Sequence, residues 1–474
     1  MILKIFLECL VANFAYSLSQ SPILIVVSYD AFRYDFFDTK SVPHMNRLRK
    51  LGTYSDYLVN VFPTKTFPNH HSIATGLYPD IHGVIGNSYF NKTTNTVVHI
   101  NYEMFHFNDN VVPIWRRNED AGEGRHSGVM MWPGGCYPYQ GKKITHCQDY
   151  KHDFDWFKRI DMAIEWIKDP KKPANLVMLY FDEPDTDGHI YGINSDIVNN
   201  LITKLDNITL YLHQQIEKNN LGGKVTIVHL SDHGMLDVKP PNFINVTQYL
   251  TPDTYIYAGS TPILQFHPKK GFESEIYEKL KNASLLNHFS VFKKEEFLPR
   301  WHYDNPRSPP ILVLADVGYG LDDLIISTKE KAENLTNNST FGVHGYDYTV
   351  REMRPFFMAR GPKIKVNHKV PPFNTVDLFN FFCEVLEIAP TKNNGSNIGD
   401  IFIGTGKYSL TTILTITAGG IVISLILISC AAVLTLMMIK RQQSITTTAA
   451  LNKRFPQTFQ SSIEAQHLLE PEDA

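Results

Sequence analysis

The sequence predicts an α/β protein: a large, mostly parallel sheet with helices on both faces, followed by one transmembrane helix near the C-terminus. Three observations carry this. Ile23–Tyr29, Asn175–Phe181 and Lys224–Leu230 are continuous apolar runs of strand length, the pattern of strands buried on both faces. The second and third runs are preceded by segments with apolar residues at helical spacing, and strands alternating with amphipathic helices imply a parallel sheet. From about Leu410 to Ile439 no residue is charged, enough to cross a bilayer as a helix.

Taken in order, Trp156–Ile167 places Ile160, Ile164 and Ile167 on one helical face. A longer helix carries Val198, Leu201, Leu205, Leu212 and Ile216, and either Ser195 or Asp196 could cap it. The part from about Asn242 to Leu314 differs, with strands expected at Pro262–His267 and Ile311–Ala315 and a helix at Glu273–Lys281. Val376–Leu386 has helical apolar spacing, and Asn334–Thr340 is polar and reads as an exposed loop. The chain has 474 residues, 43% hydrophobic and 20% charged, with a formal net charge of −3. These are globular proportions. The charge gives no reason to expect a surface for nucleic-acid polymers.

The two ends read as membrane topology. Lys4, the apolar run Ile5–Val11 interrupted by Glu8, and the small residues Ala15, Ser17 and Ser19 resemble a secretory signal over residues 1–20. The ectodomain would span 21–407, the membrane helix 408–439 and a cytoplasmic tail 440–474, because Lys440 and Arg441 follow the apolar stretch. That is a single-pass type I protein of the cell membrane. Sequons begin at Asn91, Asn207, Asn245, Asn282, Asn334, Asn337, Asn338 and Asn394, all between the apolar ends. Of the five cysteines, Cys9 leaves with the signal and Cys430 lies in the membrane segment. Cys136 and Cys147 flank a short polar loop and would pair in an oxidising compartment, whereas Cys383 reads as a buried thiol. The tail is polar and poor in aromatics. Its Glu464, Leu468 and Leu469 resemble an acidic dileucine sorting signal, which would contact a sorting adaptor and route the protein through endosomes.

Chemistry gathers where the buried strands end. Ile23–Tyr29 runs into Asp30, Asn175–Phe181 into Asp182-Glu183-Pro184-Asp185 and then His189, and Lys224–Leu230 into Ser231-Asp232-His233-Gly234. Open parallel sheets bind ligands at the carboxyl ends of their strands, so one edge would receive several carboxylates and imidazoles. Asp and His suit zinc outside thiolate sites, and His344 in Val343-His344-Gly345 supplies another imidazole. In Thr64-Lys65-Thr66-Phe67-Pro68-Asn69-His70, Pro68 suits a first helical turn, with the helix running towards Ala74 and ending at Gly76. Thr66 would lie just ahead of that N-terminus, where amides and dipole favour an anion. A hydroxyl there that also meets zinc is a candidate nucleophile.

The stretches VVSYDAFRYDF, VFPTKTFPNHHSIATGLYPDIHGVIGN, MWPGG, FDEPDTDGHIYG, LSDHGM and VHGYDY resemble the ectonucleotide pyrophosphatase/phosphodiesterase family of the alkaline phosphatase superfamily, over about Ile23 to Asn397. The lack of Cys-rich N-terminal modules and of a C-terminal nuclease-like domain makes the chain most similar to the type 4 and type 5 members. The resemblance implies an alkaline-phosphatase-like fold and two zinc ions. One would be held by Asp185, His189 and His344, the other by Asp30, Asp232, His233 and the Thr66 oxygen. Asn87 would donate to a phosphate oxygen and Phe67 would pack on a substrate base or leaving group. It further implies hydrolysis of phosphodiester or phosphoanhydride bonds in extracellular nucleotides through a phospho-threonine intermediate.

Two comparisons within the superfamily sharpen this. A monoesterase would be expected to place an Arg or a further metal against a third anionic oxygen, and no clear candidate is present. A sulfatase would need a C/S-x-P-x-R pattern, which Thr66-Phe67-Pro68-Asn69 lacks. One departure concerns the base. Nucleotide-cleaving relatives carry an aromatic residue after the WPG motif, and counting from Trp132-Pro133-Gly134 that position falls at or near Cys147. Tyr139 or Tyr150 could substitute. Two other readings are a choline-phosphodiester enzyme, which needs an anionic or aromatic cage, and a catalytically weak surface receptor on the same fold.

Overall fold

Ile23–Tyr29 (β1) is the centre of the main sheet because almost every side chain in it avoids water, so both of its faces must be covered. In the computed structural model, residues 21–122, 124–331, 336–403 and 410–454 are described. The expected signal 1–20, Asn334 and the dileucine at Leu468–Leu469 lie outside them. Residues 21–403 fall in one compact unit, and the C-terminal helix belongs to another.

The remaining main-sheet strands, in chain order, are β2 (Thr53–Ser55), β3 (His126–Met130), β4 (His146–Gln148), β5 (Ala174–Phe181), β6 (Val225–Leu230), β7 (Phe357–Arg360) and β8 (His368–Val370). They lie in the order β8-β2-β7-β6-β1-β5-β3-β4. β1 pairs in parallel with β5 and with β6, and only β7 runs antiparallel to its neighbours. The sheet is therefore mostly parallel, as its apolar runs predict. β5 and β6 are buried throughout and begin within one residue of the sequence-derived bounds.

The helices that position the site follow from caps and apolar stripes. They are α1 (Thr66–Thr75), α2 (Trp156–Ile167), α3 (Asp185–Tyr191), α4 (Asp196–Lys218) and α5 (Leu378–Val385). The Asp155 carboxylate caps α2 by accepting the Lys158 N–H, and Ile160, Ile164 and Ile167 are buried as their spacing requires. Ser195, not Asp196, caps α4, accepting the Val198 N–H. On α4 the buried stripe runs through Val198, Ile202, Leu205, Ile208, Leu212 and Ile216, while Leu201 is half-buried. Cys383 is a buried free thiol on α5.

The different character of residues 242–314 corresponds to a separate four-stranded antiparallel sheet, in the order Tyr255–Ser260, Ile263–Pro268, Ile311–Ala315, Phe289–Lys293. Helix Glu273–Ser284 buries Ile276, Tyr277, Leu280 and Ala283 in the same cluster as that sheet's core residues. A short, separate antiparallel ribbon pairs Leu236–Val238, which follows Asp232 and His233 in the chain, with Phe341–Val343, which precedes His344. Separately, Leu410–Arg454 is one helix that contains the apolar stretch read from the sequence. Within it Leu425–Thr446 is long and apolar enough to cross a membrane by length and composition.

A chain of buried hydrogen bonds lies beneath β1 and links it to α4. Thr209 Oγ1 donates to the Leu205 carbonyl at 2.9 Å, so it accepts from Tyr29 at 2.7 Å. Tyr29 in turn accepts from His229 Nδ1 at 3.0 Å, which leaves His229 Nε2 to accept from His213 Nε2 at 3.0 Å. Both imidazoles are neutral here. Burial holds His213 down to about 4 and His229 well below the usual imidazole range.

Two outcomes follow from this packing. Leu205→Ala removes a fully buried side chain from α4 and is expected to lower unfolding free energy by about 2–5 kcal/mol in urea titration. The unfolded chain binds protons at these two histidines near pH 6.5, where the folded chain does not. Stability is therefore intact above that pH and falls as pH drops towards about 4. His213→Gln should flatten the fall in melting temperature over that window.

Candidate metal centre

The carboxyl ends of β1, β5 and β6 converge because these three strands are adjacent and parallel. Asp30 follows β1, Asp232 and His233 follow β6, and Asp185 opens α3 just after β5. His189 stands one turn along α3 from Asp185, with its Nε2 3.4 Å from Asp185 Oδ2. The antiparallel ribbon delivers His344, whose Nε2 lies 3.4 Å from Asp185 Oδ1. His233 Nε2 is 3.3 Å from Asp30 Oδ1 and 3.0 Å from Asp232 Oδ2. The His233 and His344 rings stack at 3.8 Å between centroids.

Each imidazole faces the cluster with a bare nitrogen. His189 Nδ1 donates to the Gly342 carbonyl at 2.7 Å, His344 Nδ1 to Thr64 at 2.9 Å and His233 Nδ1 to Gly234 at 3.0 Å. A carbonyl only accepts, so Nδ1 carries the proton and Nε2 a lone pair, the tautomer that binds metals. The carboxylates are half satisfied in the same sense. Asp30 Oδ2 accepts from Tyr180 at 2.5 Å and Asp232 Oδ1 from the Ala31 N–H at 3.3 Å. Asp30 Oδ1, Asp185 Oδ1 and Asp232 Oδ2 are buried with no hydrogen-bond partner. Lone pairs facing one another at 3.0–3.4 Å repel unless a cation or proton lies between them. Burial, then the Asp232 and Asp185 charges, drive the Asp30 carboxyl well above its usual range, while burial and His233 drive His344 well below. Two groups meet the spacing of a metal site: Asp185, His189 and His344, and Asp30, Asp185 and His233. Asp185 is within ligand spacing of both groups.

Thr66 sits at the first position of α1 rather than ahead of it, because Lys65, in extended conformation, takes the cap position. Its Oγ1 is 3.3 Å from His233 Nε2. α1 ends at Gly76, where φ is 69° and a Cβ would meet Phe379 Cβ at 2.9 Å, so only glycine fits. The Asn87 carboxamide oxygen accepts the Phe67 N–H at 3.0 Å, which leaves its NH2 free to donate. Thr66, Phe67, Asn87, Asp30 and Asp185 line one cavity of about 560 Å³, walled also by Trp132, Tyr137, Tyr150 and Asp182. An adjoining hollow of about 400 Å³ shares Asn87 and Asp185 and adds Lys65, His189 and His344.

Several residues here escaped sequence reasoning. Tyr180 holds Asp30, but it lies within an apolar run and reads as core. His70 donates from Nδ1 to the Thr66 carbonyl at 2.9 Å and also lies 3.3 Å from Asp232 Oδ2. Its one-turn spacing from Thr66 was the available signal. Lys65 is buried, bonds the Thr261 carbonyl at 2.6 Å and is held down to about 8 by burial. Cys136 and Cys147 are paired, and Cys136 itself lines the cavity. Of the two tyrosines considered for the wall, Tyr139 is excluded: it is buried with its hydroxyl on the Gly134 carbonyl and does not line the cavity. Tyr150 does.

Comparison with known proteins agrees with this architecture. Human ectonucleotide pyrophosphatase/phosphodiesterase family member 5 is 33% identical over 395 residues, covering 82% of this chain and 80% of the relative. Human bis(5'-adenosyl)-triphosphatase is 32% identical over 392 residues, covering 80% and 81%. The solved murine family member 5 superposes with a TM-score of 0.72 at 32% identity, covering 81% of this chain and 100% of that one. A second solved form of that murine protein is an inactive threonine-to-alanine variant in complex with AMP. Residues 24–347 match the type I phosphodiesterase / nucleotide pyrophosphatase family, and this chain belongs to it.

Proposed function

We propose that this chain is a zinc-dependent phosphodiesterase/pyrophosphatase of extracellular nucleotides that works through a phospho-threonine intermediate. The observation that carries the reading is the Thr66 hydroxyl at the first turn of α1, 3.3 Å from His233 at the edge of the two Asp/His groups. The partnerless oxygens of Asp30, Asp185 and Asp232 and the bare Nε2 atoms make a donor set that suits zinc. One ion would be held by Asp185, His189 and His344, the second by Asp30, Asp232, His233 and Thr66 Oγ1. Bound there, zinc supplies positive charge that lowers the pKa of a hydroxyl and neutralises phosphoryl oxygens.

The residues then divide the chemistry. Thr66 Oγ1 attacks phosphorus in line, the bond to the leaving alcohol or phosphate breaks, and that group departs with the electron pair. The Asn87 NH2 and the α1 N-terminus stabilise charge on the equatorial oxygens. Water then attacks the phospho-threonine from the opposite side and frees Thr66. Phe67 and Tyr150 provide aromatic faces for a base, consistent with the AMP complex of the murine relative. The C-terminal apolar helix, followed by Lys440 and Arg441, would anchor the chain with residues 21–407 outside the cell. A signal segment over residues 1–20 and glycosylation of the sequons would accord with that topology, and the dileucine at Leu468–Leu469 would contact a sorting adaptor.

Thr66→Ala is expected to lose roughly a thousandfold or more in turnover of a nitrophenyl nucleotide ester while keeping most of its zinc by atomic absorption. Undiminished turnover would reduce Thr66 to a helix-start residue. Asn87→Ala should lower kcat by about 10²–10³-fold. Chelation should abolish activity and lower the melting temperature, both restored by zinc; an unchanged melting temperature would count against metal in this cluster.

A further inference from the structure

The wall residue Tyr150 is half exposed, yet its hydroxyl is fixed. It donates to Asp182 Oδ2 at 2.9 Å. Asp182 is itself locked by Arg159, a fully buried guanidinium on α2, whose Nη1 reaches Asp182 Oδ1 at 3.0 Å and the Tyr180 carbonyl at 3.1 Å. Arg159 Nε donates to the Phe154 carbonyl at 3.1 Å, which pins the segment after Tyr150 to the end of β5. His152 completes the cluster, with Nδ1 at 3.3 Å from Asp182 Oδ2.

A buried guanidinium needs a partner. This one has a carboxylate at the cavity's edge, and that carboxylate's remaining oxygen is occupied by a ring at the cavity's mouth. Burial and the Asp182 charge push the Tyr150 phenol up, so it stays a donor. On the far side of the same segment, the Cys136–Cys147 bridge ties β4, which ends two residues before Tyr150, to the cavity wall.

Resting on the nucleotide reading above, we propose that Asp182, held by Arg159, is a positioning residue that keeps the Tyr150 ring at the cavity as a ready stacking surface, and so sets affinity for the aromatic part of the substrate. A ring already fixed by its hydroxyl loses little freedom when a base stacks on it; a free ring loses more.

The test uses the full chain in detergent, with Thr66→Ala as the background for binding. Adding Tyr150→Phe keeps the ring and removes the tether without uncovering Arg159. The dissociation constant for AMP by calorimetry should rise roughly three- to tenfold, while that for inorganic phosphate stays within twofold. With Thr66 intact, Tyr150→Phe should raise KM for p-nitrophenyl thymidine monophosphate by a similar factor, and by more than it changes kcat. Asp182→Asn should shift AMP affinity in the same direction, with a lower melting temperature because Arg159 loses its counter-charge. An unaltered AMP constant in Tyr150→Phe overturns the tether. Equal weakening of AMP and phosphate overturns it too, as a general disturbance of the site. If the Thr66→Ala parent binds phosphate as tightly as AMP, the nucleotide reading itself falls, before any tether variant is measured.

Discussion

Three carboxylates, Asp30, Asp185 and Asp232, are held in one place, each with one buried oxygen left unpartnered, and this charge is the constraint around which the site is built. Such a cluster repels itself, and burial multiplies the repulsion. Tyr180 and the Ala31 amide relieve one oxygen of Asp30 and one of Asp232. What remains is aimed at three imidazole nitrogens that also lack protons. Divalent charge at the centre would resolve both defects at once, which is why side chains that repel one another would bind a metal well.

The sheet keeps the carboxylates together against this repulsion. β1 lies between β5 and β6, each pair a full parallel ladder over buried apolar residues, so their C-terminal ends cannot drift apart without exposing core. The imidazoles are oriented by backbone carbonyls instead of by other side chains. Rigid main chain therefore sets their tautomer and direction. Thr66 gains its place by a different route, through the first turn of α1, whose far end is fixed by Gly76.

Much of the fold was legible because buried parallel strands announce themselves as apolar runs, and β1 begins and ends where its run does. Local chemistry settled less. Ser195 and Asp196 are equally good caps by residue type, and only the direction of the Ser195 hydroxyl towards the Val198 N–H decides between them. The ligand-type residues were legible since each follows a recognisable strand end. Tyr180, His70 and Arg159 were not, because an aromatic or a charge within an apolar segment reads as core or solvated face until its partner is known. The wall shows the same limit: Tyr139 and Tyr150 are chemically alike, yet one hydroxyl turns to the Gly134 carbonyl and the other to Asp182.

The sequence by itself determined the strand and helix content, the C-terminal apolar helix and the set of Asp, His and Thr side chains available for chemistry, since periodicity and residue type are local properties. Tertiary structure alone decided which of them meet. Asp185 comes within ligand spacing of both Asp/His groups, Thr66 enters the helix, and Tyr150 instead of Tyr139 reaches the cavity. Those outcomes depend on strand order and on hydrogen bonds between residues far apart in the chain, and no local pattern encodes a distance.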